Sequence, residues 1–218
     1  MTLLIVCGLS READAVPGSG FARLVSGGRR SRLELHLSRT DPTSMSGVVS
    51  FGLAGGLEPG LGAGDIVIAD EVRSEDRSYP CSVSLVADWI RRAETAGIPL
   101  ASGRAMLGVD APVASAAEKA ALRARTGAAA LDMESHIVAD WATRHALPFG
   151  VLRVISDAAD GTIPPAAIAA MREDGGIDVA AVMRSLVRNP GQIPALIRTA
   201  RDGAAAFRML RRAASLLA

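Results

Sequence analysis

Ala128-Ala129-Ala130-Leu131-Asp132-Met133-Glu134-Ser135, followed after a helical interval by Phe149-Gly150-Val151-Leu152-Arg153-Val154-Ile155-Ser156-Asp157, decides how the chain is read. An apolar run passes directly into an amphipathic stretch, Met133–His145, which stops near Pro148, and a second apolar run then ends in a polar loop. Short apolar runs alternating with helical periodicity mark a layered α/β architecture. Working outward, strands are expected at Leu3–Cys7, Gly47–Phe51, Ile66–Ala69, Leu100–Met106, Ala128–Leu131 and Phe149–Ile155. Helices are expected at Val83–Ala96, closed by Gly97 and Pro99, at Ala116–Arg125, opened by Ser115 with Glu118 as a capping box, and at Met133–His145.

Beyond Ile155 the pattern loosens through Asp160-Gly161 and Pro164-Pro165, and a helical C-terminal region follows, interrupted at Asn189-Pro190-Gly191. From Pro194 to Ala218, Leu196, Ala200, Gly203, Phe207, Leu210, Ala214 and Leu217 share one helical face, with Arg198, Arg201, Arg208 and Arg212 on the other. Such a segment either packs on the domain or a second subunit, or lies on a membrane surface, which also favours a basic polar face.

A chain of 218 residues with 49% hydrophobic composition can bury a sizeable core, and residues 1–218 read as one domain. The net charge of +1, from 24 basic and 23 acidic residues, gives no global field to recruit nucleic acid or an acidic partner. Four Phe, two Trp and one Tyr offer little surface for stacking bases, so nucleic acid is excluded and a small-molecule partner is expected. Lys119 is the only lysine; every other basic residue is arginine. Cys7 and Cys81 build no disulfide framework and no Cys/His group has metal-ligand spacing, so no metal is expected and the compartment is a reducing one. The run Leu3–Cys7 is too short for a signal-peptide core or a membrane span and reads as a first strand, which points to the cytoplasm.

Three motifs can carry chemistry, and each also has a plain structural reading. Phe51-Gly52-Leu53-Ala54-Gly55-Gly56-Leu57 reads as a glycine-rich loop, either a bare turn or a place where backbone closely approaches a ligand. It lacks the G-x-G-x-x-G lead into a helix and the Gly-Lys-Ser/Thr of a P-loop. In Asp132-Met133-Glu134 the carboxylates either cap the following helix or accept hydrogen bonds from ligand hydroxyls at a strand's carboxyl end. Asp157, after Ile155-Ser156, is either a turn residue or a partly desolvated general acid. His36, His136 and His145 are scattered, and no Gly-x-Ser-x-Gly elbow is present.

Taken in order, the strand and turn Leu4–Gly8, Ser26-Gly27-Gly28, Gly52–Leu57 with Gly64-Asp65-Ile66-Val67, Asp132-Met133-Glu134 and Ile155-Ser156-Asp157 resemble the nucleoside phosphorylase and nucleosidase superfamily. The resemblance implies a three-layer α/β/α sandwich around a mixed sheet closing into a distorted barrel, assembled as a homo-oligomer. It further implies that Glu134 binds ribose hydroxyls, that Met133 packs on the sugar and that Asp157 protonates or hydrogen-bonds the departing base; Asp132, Ser156 and Gly55 complete the substrate-contacting set. Cleaving a C–N glycosidic bond builds positive charge on the ribose and negative charge on the base, and these groups suit both.

Departures from the pattern fall at the nucleophile. Superfamily phosphorylases often carry an arginine at the end of the second strand and a serine in the glycine loop, where this chain has Ser50 and Leu53. Hydrolytic relatives place a water-activating glutamate where this chain has Ala13, with Glu12 one residue earlier, and Pro112 stands near the place of a base-stacking aromatic residue. Gly-Val-Asp-Ala-Pro-Val at 108–113 and the segment from Asn189 to Ile197 look most like hopanoid-biosynthesis-associated phosphorylases. That subgroup implies a lipid-linked adenosine, adenine as leaving group, and inorganic phosphate as co-substrate with no other cofactor; with such a substrate the C-terminal segment could make a peripheral membrane contact. Phosphate arrives anionic and needs only binding, which is expected from Gly8, Ser26, Gly27 and Gly28 with a guanidinium from Arg29 or Arg30. Two rivals stay open: hydrolysis with Glu12 as a displaced base, and a nucleoside-binding module without catalysis.

Overall fold

The computed structural model describes residues 1–18, 20–170 and 179–218. In chain order the strands are β1 (Thr2–Cys7), β2 (Phe21–Val25), β3 (Met45–Gly56), β4 (Ile66–Arg73), β5 (Ser78–Pro80), β6 (Ala101–Gly108), β7 (Ala130–Asp132) and β8 (Phe149–Asp157). The helices are α1 (Ser10–Ala13), α2 (Arg30–Ser38), α3 (Val83–Ala96), α4 (Ala116–Thr126), α5 (Ser135–Arg144), α6 (Pro165–Ala170), α7 (Val179–Arg188) and α8 (Ile193–Ala213). Part of the helical region expected after Pro165 lies outside the described residues, at 171–178.

Every expected strand and helix is present; α3 has both expected ends, and the others are shifted at one or both. Helix α3 has the bounds that Gly97 dictates, because Gly97 adopts φ 60° and closes it in the left-handed region. Ser115 caps α4 by accepting the Glu118 N–H at 3.2 Å. Helix α5 starts two residues later than its periodicity suggests, since Asp132 accepts the Ser135 N–H and leaves Met133 and Glu134 in the turn before it. The largest difference is β3. It runs through the glycines expected to form a loop, because Gly52 to Gly55 pair with β8 across a register shift between Ala54 and Gly55.

The sheet is mixed and closes on itself. Strands β3, β7, β6, β4 and β8 are each bonded to the next, and β8 returns parallel to β3, which completes a ring. From the first half of β3 the sheet continues as β1 and then β2, both parallel.

Period-two alternation sets the layers. In β1, Leu4 and Val6 face a core completed by Leu33 and Leu37 of α2 and Ile137, Val138 and Trp141 of α5. Ile5 and Cys7 face the opposite core, with Trp89 and Ala93 of α3 and Leu210 and Ala213 of α8. Helices therefore cover both faces of the mixed sheet, the three-layer α/β/α arrangement. Among the described residues no helix is long and apolar enough to cross a membrane.

Candidate active site

The carboxyl ends of β1, β3, β7 and β8 meet on the face that α5 covers, and they gather an unusual number of buried charges. Arg153, in the middle of β8 and fully buried, is the centre. Its Nη2 lies 2.7 Å from Asp132 Oδ2 and 3.3 Å from Glu134 Oε2. The same nitrogen donates to Ser50 Oγ at 2.6 Å, and Nη1 donates to the Leu53 carbonyl at 3.2 Å. Burial works against the Arg153 cation, but Asp132, Glu134 and Glu12 outweigh it and raise its pKa above the ordinary arginine value.

Glu12 reaches this cluster from α1. Its Oε2 accepts the N–H groups of Gly8 at 2.8 Å and Leu9 at 2.9 Å, and its Oε1 accepts the Leu53 N–H at 2.9 Å. Burial raises its pKa, opposed by Arg153 and by these three amides. Glu134 accepts from Ser26 Oγ at 3.2 Å, and its pKa is raised to about 7, first by burial and then by repulsion from Asp132 and Glu12, against the pull of Arg153. The two glutamates border one point: a methyl group on Gly8 would sit 3.0 Å from Glu134 Oε1 and 3.3 Å from Glu12 Oε2. Gly52 is equally confined, because a methyl group there would lie 2.6 Å from Glu12 Oε2 and 2.8 Å from Arg153 Nη1.

Asp157 lies further along the same pair of strands, four residues beyond Arg153. It is the register partner of Gly55, whose absent side chain leaves room 3.5 Å from Asp157 Oδ2. Ser156 Oγ donates to Asp157 Oδ1 at 2.6 Å, and Lys119, from α4, contacts Oδ2. Leu53 and Gly55 are about 7 Å apart along the strand. Glu12 meets β3 at Leu53, and Asp157 meets it at Gly55.

The residues expected from sequence are thus partly gathered. Ser156, Asp157 and Gly55 lie together, Glu134 lies with Glu12 and Arg153, and Met133 is half-buried beside Glu134. Asp132 is buried among internal partners: it pairs with Arg153 and its Oδ1 accepts the Ser135 N–H at 3.0 Å.

The expected phosphate cradle has a different form. The Gly8 N–H serves Glu12, the Ser26 N–H donates to the Cys7 carbonyl at 2.9 Å, the Gly27 N–H to the Gly8 carbonyl at 2.8 Å, and the Gly28 N–H to Ser26 Oγ at 3.0 Å. Arg29 stands at the start of α2, and Arg30 pairs with Glu34 and, at 2.6 Å, with Asp110. Sequence reasoning missed Arg153 altogether. Its signal was a single charged residue inside an apolar run, Phe149 to Ile155, on the same face as Val151 and Ile155. Arg153 donates to the hydroxyl of Ser50, the position where the phosphorylase pattern carries an arginine.

Comparison with known proteins places this geometry. Residues 41–188 match the family model described as Phosphorylase superfamily. A 5′-methylthioadenosine/S-adenosylhomocysteine nucleosidase of Baumannia cicadellinicola subsp. Homalodisca coagulata is 33% identical over 131 residues, which are 52% of this chain and 57% of that relative. The match therefore spans little more than half the relative's length. Futalosine hydrolase of Helicobacter pylori superposes with a TM-score of 0.66 at 20% identity, covering 86% of this chain and 97% of that one. A 5′-methylthioadenosine/S-adenosylhomocysteine nucleosidase of Colwellia psychrerythraea, solved with adenine, gives 0.65 at 20% identity, covering 86% and 95%. At these identities the likeness is one of fold.

Proposed function

This chain belongs to the phosphorylase superfamily, and from that premise we propose that it cleaves the N-glycosidic bond of a purine nucleoside with water as the nucleophile. The observation that carries the choice of water is Glu12: a buried carboxylate whose pKa is raised, bordering the same point as Glu134 and holding the amides of Gly8, Leu9 and Leu53. Water needs a base, and Glu12 supplies one. Its Oε1 has accepted a single N–H and keeps a lone pair for the water proton. Phosphate, the nucleophile that the sequence suggested, would need amides that already bond within the chain. The nucleosidase and hydrolase relatives support the same choice.

In this reading Glu134 receives the ribose hydroxyls and Asp157 attends the leaving base. The C1′–N bond breaks with its electron pair going to the base, positive charge gathers on the ribose beside the two glutamates, and Glu12 takes the proton of the attacking water. Arg153 pairs with Glu134, and its charge also favours ionised Glu12, which offsets the repulsion between the two glutamates.

The substrate's 5′ substituent is proposed to be apolar and lipid-like. Beyond Val179 the surface exposes Met183, Val187, Ile193 and Ile197 among Arg184, Arg188, Arg198 and Arg201, with no carboxylate from 179 to 201. Such a surface suits an anionic membrane, where a lipid-linked nucleoside would reside.

The test is a reaction of purified protein with adenosine and 5′-substituted adenosines in phosphate-free, 18O-labelled water. Free adenine and an 18O-labelled free sugar are expected. Base release that needs phosphate and yields a sugar 1-phosphate would restore phosphorolysis, and no base release from any purine nucleoside would leave a binding module.

A further inference from the structure

Lys119 is the only lysine of the chain, and among the described residues it has the deepest burial a cation can have, with a side chain fully out of solvent. Its ammonium has three N–H groups and three acceptors: Asp157 Oδ2, the Ala158 carbonyl at 2.8 Å and the Gly161 carbonyl at 3.3 Å. A buried cation satisfied so fully is a built feature, since isolated burial of an ammonium is costly. Everywhere else the chain uses arginine as its base. An arginine here could carry the charge and fill the contacts, but it cannot release a proton, whereas a lysine can.

We propose that Lys119 is a positioning residue that supplies, through Asp157, the proton taken by the leaving base; the inference rests on the nucleoside-cleaving reading above. The glycosidic C–N electron pair passes to the base nitrogen, which takes a proton from Asp157. Asp157 is supplied across its Oδ2 contact by Lys119 Nζ, which becomes a neutral amine still donating to the Ala158 and Gly161 carbonyls. The pair regains one proton from water through Asp157, whose side chain is 17% exposed, once the base has left. Ser156, donating to Oδ1, keeps the carboxylate turned so that Oδ2 faces Lys119.

The experiment compares the parent with Lys119→Met, Lys119→Arg, Asp157→Asn and the Lys119→Met/Asp157→Asn double variant. Two substrates are used: adenosine, whose base leaves only when protonated, and 4-nitrophenyl β-D-ribofuranoside, whose phenolate leaves without a proton. On adenosine each single variant should lose about a hundredfold in kcat, the usual scale for removing a proton donor, with KM within a few-fold of the parent. The double variant should be no slower than Asp157→Asn alone, because Lys119 acts through Asp157. On the nitrophenyl riboside the losses should be far smaller than on adenosine, because the departing phenolate needs no proton.

A Lys119→Arg protein as fast as the parent on adenosine would overturn the proposal, as would a double variant much slower than Asp157→Asn. Equal losses on both substrates would reduce Lys119 to a structural cation. If Lys119→Met does not fold, Lys119→Arg, which keeps the charge, decides the matter, with unfolding midpoints recorded for each. A parent that releases no base refutes the nucleoside reading and this inference together. An active parent whose Asp157→Asn variant is impaired while the Lys119 variants stay equally active refutes this inference alone.

Discussion

Glu134 illustrates what happens to a carboxylate buried among more acid than base. Its pKa of about 7, set first by burial and next by Asp132 and Glu12, lies well above that of an exposed glutamate near 4.3. A raised acid binds its proton more tightly in the folded chain, so between about pH 4.3 and 7 the folded state holds more protons than the unfolded one. Stability contributed by the neutral carboxyl is full below that window and is lost as pH rises through it. Glu12, also raised, acts in the same direction. The ligand-free protein should therefore show a falling unfolding midpoint from pH 5 to 8, and Glu134→Gln should flatten the fall. A Glu134→Gln protein with the parent's slope would show that Glu134 is ionised throughout. Catalytic efficiency on a ribonucleoside should also drop in this variant, because a charged acceptor for the ribose hydroxyls becomes neutral. The placement of Glu134 and Asp157 at the ends of apolar strands was legible from sequence. Arg153 was not, because its meaning depends on three carboxylates that arrive from positions 12, 132 and 134 and meet only in space.

At the scale of elements, β3 shows why the glycine-rich stretch belongs inside a strand. Gly52 has φ 154°, in a region that side chains rarely adopt, and it passes between Glu12 and Arg153 with no room for a methyl group. Gly55, two residues on, leaves space beside Asp157. Periodicity could not reveal this, because glycine clusters ordinarily announce a turn and only pairing with β8 keeps these residues extended. Strands β2 and β5 were missed for another reason: they are short, border the sheet and are half exposed, so their alternation is weak. Gly52→Ala should push Glu12 from its amides and cost about 1–3 kcal/mol, the range for overpacking a tight site. Chemical denaturation measures the loss, and turnover should fall with it. A variant as stable and as fast as the parent would mean that the strand shifts freely at this point.

At the scale of the molecule, the C-terminal segment divides into two halves with different surroundings. The single apolar face expected from Leu196 to Leu217 is realised only in part: Leu210, Ala214 and Leu217 are buried on the core, Ala200 is exposed, and Phe207 is half-buried with the Arg11 guanidinium 4.4 Å above its ring. Before that half, Met183 is 55% exposed, Val187 80%, Ile193 45% and Ile197 48%. Four large apolar side chains in water among arginines are costly unless something covers them, and anionic headgroups with acyl chains beneath match both the charge and the apolar groups. The segment joins the site through α6, since the Gln192 side chain accepts the Ala166 N–H at 3.0 Å. Flotation with phosphatidylglycerol vesicles should carry the protein upward, and phosphatidylcholine vesicles should not. High salt should weaken the binding through screening of the arginines, and Met183→Asp with Val187→Asp should abolish it while leaving turnover of soluble adenosine unchanged. Protein that stays at the bottom of the gradient with anionic vesicles would remove the membrane and leave these side chains to a second subunit.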